Sequence, residues 1–215
     1  MTRAEIKARA KAQLGGSIFS NNWLYAVLVV IIETALVGAI NAIPGVGTIA
    51  SLLITGPIAY GVAKLFLKQT RDGQQMEISG LFDGFKNDFG GTFILSLMAT
   101  IFISLWTLLF IIPGIVKAYS YSMAYLIKAD HPEYDWKKCI DESKRLMDGH
   151  KAELFVQDLS FLGWIIVGAL CLGVGTLWVT AYMNAARSQF YNDLVARDFA
   201  NSQQFAAPQS DAPQF

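Results

Sequence analysis

Glu33 falls in the middle of a long apolar run. An ionisable group at the centre of a bilayer costs about 2.5–3.5 kcal/mol on insertion scales, so such a residue is a functional candidate by default. It can pair with a basic group, bind a cation or relay protons. The structural alternative is a protonated carboxyl, hydrogen-bonded to Asn41 further along the same helix or to a neighbouring helix. Lys117 is a second intruder: it either snorkels to the nearer headgroups or faces inward toward Glu33. Asp158 and Arg187 fall in the inner halves of two further apolar runs, where they are placed to pair. Desolvated pairs of this kind fix helix packing or line an ion path. Together with Thr55, Tyr119 and Tyr121, these side chains offer a polar lining for a common interior.

A second set is basic. Lys137, Lys138, Lys144, Arg145 and Lys151 cluster just before an apolar run, and each is worth about 1 kcal/mol against anionic headgroups near a membrane surface. Asp141, Glu142, Asp148 and Glu153 dilute that field, so a protein partner fits as well as membrane lipid. His131 with Asp130, Glu133 and Asp135 offers metal ligands on paper. Pro132 makes the segment a turn and no defined ligand spacing recurs, so a helix exit is the better reading and no metal is expected. His150 is expected at the headgroup level. Cys139 and Cys171 read as free thiols on opposite sides of the membrane. There is no GxSxG, HExxH or Walker-type loop, and Gly168, Gly173 and Gly175 suit close helix packing rather than a dinucleotide fingerprint. The pattern points away from an enzyme and from any cofactor. Seventeen basic against seventeen acidic residues removes the signature of a nucleic-acid binder.

The elements that must hold these residues are apolar helices. Hydrophobic side chains make up 53% of the chain and charged ones 16%, against about 25% charged in soluble domains. Mean hydropathy is +0.39. Thirty uncharged residues separate Glu33 from Lys64, and twenty-eight separate both Asp88 from Lys117 and Asp158 from Arg187. A membrane helix needs about 20. Each run is interrupted near its middle: Ile43-Pro44-Gly45-Val46-Gly47, Ile112-Pro113-Gly114 and Leu172-Gly173-Val174-Gly175. The pattern predicts an all-α polytopic integral membrane protein with about six spans, near 23–43, 47–67, 92–112, 115–130, 151–171 and 176–196, arranged as three helical hairpins. A kinked single helix at Pro113 would put the basic linkers 64–88 and 128–153 on opposite sides, against the positive-inside rule. The same rule places both termini in the cytoplasm. Residues 1–14 lack the apolar core of a signal peptide and carry a capping box at Thr2-Arg3-Ala4-Glu5.

An amphipathic interfacial helix is expected before each hairpin, carried by Ile6, Ala10 and Leu14, by Ile78, Leu81, Phe82, Phe85 and Phe89, and by Trp136, Cys139, Ile140, Leu146 and Met147 with Asp135 as N-cap. Glycines after each stripe and the spacing of Pro44 and Pro113 suggest an internal repeat over 1–70, 71–134 and 135–196, within a single membrane domain 1–196. Residues 197–215 read as a flexible polar tail.

The most specific stretch runs Ile112-Pro113-Gly114-Ile115-Val116-Lys117-Ala118-Tyr119-Ser120-Tyr121-Ser122-Met123-Ala124-Tyr125, then Ala129-Asp130-His131-Pro132. It continues with Ser143-Lys144-Arg145-Leu146-Met147-Asp148-Gly149-His150-Lys151, Glu153-Leu154-Phe155 and Leu159-Ser160-Phe161-Leu162-Gly163-Trp164. This resembles a family of bacterial polytopic membrane proteins known as domain of unknown function 975. The resemblance implies a multi-pass protein of a bacterial, Gram-positive cell membrane, and implies no activity. In hairpin layout the chain also looks distantly like the membrane module fused to some glycerophosphodiester phosphodiesterases, whose catalytic domain is absent here. The residues favour a non-enzymatic scaffold, modulator or sensor acting through its interfacial helices. The alternative is a small transporter or channel using Glu33, Asn41, Lys117, Asp158 and Arg187. Oligomeric state is not legible.

Overall fold

Thr2 opens the first helix as expected. Its Oγ1 accepts the Glu5 N–H at 3.3 Å while Glu5 takes the Thr2 N–H at 2.8 Å, closing the capping box of α1 (Arg3–Leu14). Gly15 ends it at φ 112°, a conformation that disfavours any side chain. The computed structural model describes residues 2–206 apart from 16, 18, 45, 46, 171 and 172. Among the described residues every element is helical.

Two long helices follow, α2 (Asn21–Asn41) and α3 (Gly47–Asp72). A short 3-10 turn, Ile78–Phe82, and the five-residue α4 (Asp83–Asn87) then lead into α5 (Phe89–Leu109). The expected amphipathic helix over 78–89 is therefore broken: Asp88 leaves the helical conformation to cap α5 through the Gly91 N–H at 2.8 Å. After α5 come α6 (Ile111–Tyr121), α7 (Ala124–Asp130), α8 (Trp136–Leu146), α9 (Lys151–Leu159), α10 (Leu162–Leu170) and α11 (Val174–Ala206).

Four helical stretches are long and apolar enough to cross a membrane: Asn21–Asn41, Ala50–Asp72, Phe89–Leu109 and Lys151–Leu170. Four details depart from the expected spans. The second interruption lies at Phe110, which is extended, while Pro113 sits inside the first turn of α6, where its missing N–H costs nothing. The stretch 115–130 is discontinuous at Ser122-Met123, and 151–171 turns at Ser160-Phe161. Finally, α11 continues to Ala206, ten residues into the segment expected as a flexible tail; positions 207–215 are outside the described residues. At about 1.5 Å per residue its 33 residues measure about 50 Å, some 20 Å beyond the hydrocarbon core.

Consecutive helices pack together: α2 on α3, α5 on α6, α10 on α11. The centre belongs to α3, which also meets α5, α7 and α11 and has 56% of its apolar window buried, against 22–28% for the other three candidate spans. Close approach there depends on glycine. A Cβ at Gly61 would strike the Leu81 carbonyl, and one at Gly84 the Pro57 carbonyl.

The apolar stripes of α1 and α8 do not lie open to lipid. Ile6, Ala10 and Leu14 are buried, with α1 packed on α11, α2 and α3. Cys139, Ile140 and Leu146 are buried as well, with α8 packed on α5, α6, α7 and α11. The apolar faces of both helices thus pack against the rest of the bundle. Asp135 caps α8 by accepting the Lys138 N–H at 2.9 Å.

Ion pairs knit one end of the bundle. Lys128, 2% exposed, donates to the carbonyls of Pro132 (2.8 Å) and Tyr134 (2.7 Å) and pairs with Asp88 at 2.6 Å. Arg71 grips Asp130 with both terminal nitrogens, and Arg145 grips Asp198, at 2.6 and 2.8 Å. Lys64 holds Asp83 at 2.7 Å.

Candidate functional site

Glu33 does not face empty lipid. It lines a recess of about 190 Å³ between α2, α3, α7 and α11, together with Ser122, Tyr125, Asn184, Arg187 and Ser188. The helix faces explain the convergence. Asn184, Arg187 and Ser188 stand at i, i+3 and i+4 on α11, one stripe of a helix. Ala59, Val62, Ala63 and Phe66 form the same stripe on α3, and the small residues keep the space open. Ser122 belongs to the break between α6 and α7, and Tyr125 to the turn after it. The volume holds about six waters or a solute of that size.

The recess is lined by one acid and one base that do not touch. Among the described residues nothing pairs with Glu33. Arg187 instead reaches away from it, to Asp158 Oδ2 at 2.8 Å. The same oxygen accepts the Tyr119 hydroxyl at 3.3 Å. That loads one oxygen twice and leaves Asp158 Oδ1 buried without a partner, as is Arg187 Nε. Beside Asp158, Gln157 is fully buried with neither amide atom bonded. Unbonded polar atoms in such a setting are costly and mark a place where a water or ligand would be held.

Two of the five expected intramembrane residues lie elsewhere. Asn41 donates to the Val37 carbonyl of its own helix at 2.9 Å and is exposed, eight residues beyond Glu33 and unable to reach it. Lys117 settles over the Trp106 ring, 4.9 Å from its centroid, within the α5–α6 pair. It neither approaches Glu33 nor enters the recess.

The basic set is mostly neutralised. Lys144 pairs with Asp141 at 2.8 Å, Arg145 with Glu142 and Asp198, and Lys151 with Asp148 at 3.8 Å. Lys138 lies over Tyr134 at 3.6 Å, and Lys137 is exposed. The Arg145 pair holds the Asp198 carboxyl below its usual range. His131 stacks on Tyr134 at 4.5 Å with Nδ1 3.1 Å from Glu133, while Asp130 is taken by Arg71 and Tyr191. Among the described residues no three His, Cys, Asp or Glu side chains are placed to hold a metal. His150 contacts Glu153 at 3.0 Å. Cys139 is fully buried and burial pushes its thiol up to about 11; Cys171 lies outside the described residues.

Four lining residues, Ser122, Tyr125, Asn184 and Ser188, were not expected as site residues. Asn184 and Ser188 carried a signal, standing four apart on the helix face that also holds Arg187.

No curated protein and no solved structure matches the chain. A family model does, the one described as Protein of unknown function (DUF975), over residues 1–120 and again over 109–198. The description assigns no activity, and the four helical stretches of this chain are apolar enough for a membrane; the matches cover all but the last residues, so the chain belongs to that family.

Proposed function

We propose that this is a multi-pass protein of the bacterial cell membrane that handles a small polar or charged solute in the recess between α2, α3, α7 and α11. The observation that carries it is the placing of Glu33 and Arg187, with hydroxyl and amide side chains, on one recess between apolar helices. A carboxyl group with no protein partner, on a recess shared with hydroxyl and amide side chains and with the Asp158-paired Arg187, suits a small polar or charged solute, or a proton or cation moving along such groups. Each would be held by the free Glu33 and by the hydroxyl and amide side chains of Ser122, Tyr125, Asn184 and Ser188.

Six crossings fit this reading: α2, α3, α5, α6 with α7, α9 with α10, and the first part of α11. The charged end then lies in the cytoplasm by the positive-inside rule, with both termini beside it. The repeat over 1–70, 71–134 and 135–196 would follow from three successive helix pairs. The protein acts without covalent chemistry.

A scaffold or sensor working through α1 and α8 draws less support. Both helices spend their apolar faces inside the bundle, and most of the basic side chains on α8 already have acidic partners. What remains for a partner is a mixed-charge outer face.

Reconstituted vesicles test the proposal. Proton flux followed by an internal pH dye, and counterflow of labelled amino acids, should exceed those of protein-free vesicles with the wild type and fall to background with Glu33→Gln. Equal, background-level flux for both proteins in both assays would sink it.

A further inference from the structure

A second concavity lies at the charged end, about 660 Å³ in volume, between α1, the end of α3 and the outer part of α11. Its lining combines two arginines, Arg9 and Arg71, with the amides of Gln13, Gln189 and Asn192 and with apolar walls such as Val195 and Phe199. No carboxylate is among these residues. We propose that this groove binds a phosphate-bearing anion, with Arg9 as the principal contact.

The amides are organised rather than loose. Gln189 donates to Gln13 Oε1, Gln13 to the Thr70 carbonyl, Asn192 to Thr70 Oγ1 at 3.3 Å, and Arg71 Nε to Asn192 Oδ1 at 2.9 Å. Gln189 and Thr70 are 5% and 6% exposed, so this ladder forms a rigid floor. Arg71 spends three of its five N–H groups on Asn192 and the Asp130 carboxylate, which leaves two and cancels its net charge locally. Arg9 differs. It is exposed at the rim, and among the described residues nothing is bonded to it. The groove therefore carries one uncompensated guanidinium above a floor of fixed amides, an arrangement that prefers an anion with several acceptor oxygens.

The apolar walls suit an anion attached to a greasy body. Val195, Ala196 and Phe199 continue along α11, and Phe199 is 63% exposed. The headgroup of an acidic phospholipid meets both requirements; a soluble phosphate ester meets the first. Neither source uses the Glu33 recess, so this site stands or falls independently of the solute reading.

The test uses the full chain in a neutral detergent, with bound species counted by native mass spectrometry. Dioctanoyl phosphatidylglycerol should bind saturably and more tightly than dioctanoyl phosphatidylcholine. Arg9→Gln should weaken it about fivefold, while Lys137→Gln, an exposed lysine on α8, should leave it unchanged. Competition by glycerol phosphate would support the site and identify the phosphate group as sufficient; lack of competition, with lipid still bound, would support it as a lipid site. Equal binding of the two lipids, equal loss in both variants, or no binding at all would overturn it. An unchanged thermal melt for Arg9→Gln confirms that the variant folds.

Discussion

Ser143 of α8 accepts the Met123 N–H at 3.2 Å, across the gap where α6 stops and α7 begins. Its hydroxyl donates in turn to the Ser120 carbonyl at 2.8 Å. One fully buried side chain thus satisfies two backbone groups that a continuous helix would have satisfied by itself. The interruption beside Ser122, a lining residue of the recess, is built in rather than frayed.

Ser143→Ala should consequently destabilise the protein by about 1–3 kcal/mol, since two buried groups lose their partner and no water replaces it. Thermal melting in detergent by circular dichroism reads this, with exposed Ser202→Ala as the neutral control. Equal melting of the two variants would mean that the gap finds other partners.

Gly61→Ala should cost more than an ordinary surface change, about 1–3 kcal/mol, because the new methyl collides with backbone at Leu81 rather than with a movable side chain. Gly38→Ala on α2 is the contrast. Nothing lies within 4 Å of its Cβ position, and alanine in a helix gains about 0.5–1 kcal/mol over glycine. Opposite shifts in melting temperature are expected from the two substitutions.

The Asp198–Arg145 pair should give a pH-dependent share of stability. Pairing lowers the folded carboxyl below its unfolded value of about 3.9, so the contribution is complete above that value and lost as pH falls through the lower folded one. Both side chains are about half exposed, which limits the pair to about 0.2–1 kcal/mol, less in high salt. The melting difference between wild type and Asp198→Asn should exist at pH 7 and narrow as pH falls below about 4. A gap that does not change with pH across that range would assign it to packing.

Cys139 should resist maleimide at neutral pH from either side of the membrane, because its thiol is fully buried and titrates near 11. Labelling is expected only after denaturation in dodecyl sulfate. Silence in intact cells therefore carries no topological information, and an engineered cysteine at exposed Lys137 is the better reporter.

Much of the fold was legible where one local rule acts alone. The Thr2–Glu5 capping box and the Asp135 cap became the expected local structure, and the long charge-free runs became helices, four stretches of which are long and apolar enough to cross a membrane where six spans were expected. What was not legible depends on partners distant in sequence. The apolar stripes of α1 and α8 look identical whether lipid or protein covers them. Pro113 reads as a turn by itself, yet the chain bends three residues earlier and uses it at a helix start. At the site, Glu33, Asp158 and Arg187 stood out as polar groups in apolar surroundings, whereas Asn41 and Lys117 share that property and satisfy themselves locally. Ser122 escaped notice because its position depends on a helix break held open by Ser143, twenty-one residues away.

The shallow burial of the outer helices has one more consequence. Only 22% of the Phe89–Leu109 window is buried inside the protein, so in the membrane setting proposed above the remaining faces of that helix would meet acyl chains. Those chains would complete its packing in the way neighbouring side chains complete that of α3. Bilayer thickness and tail unsaturation would then act on this protein as core mutations act on a soluble one, and a change of detergent would be, for α5, a change of neighbours.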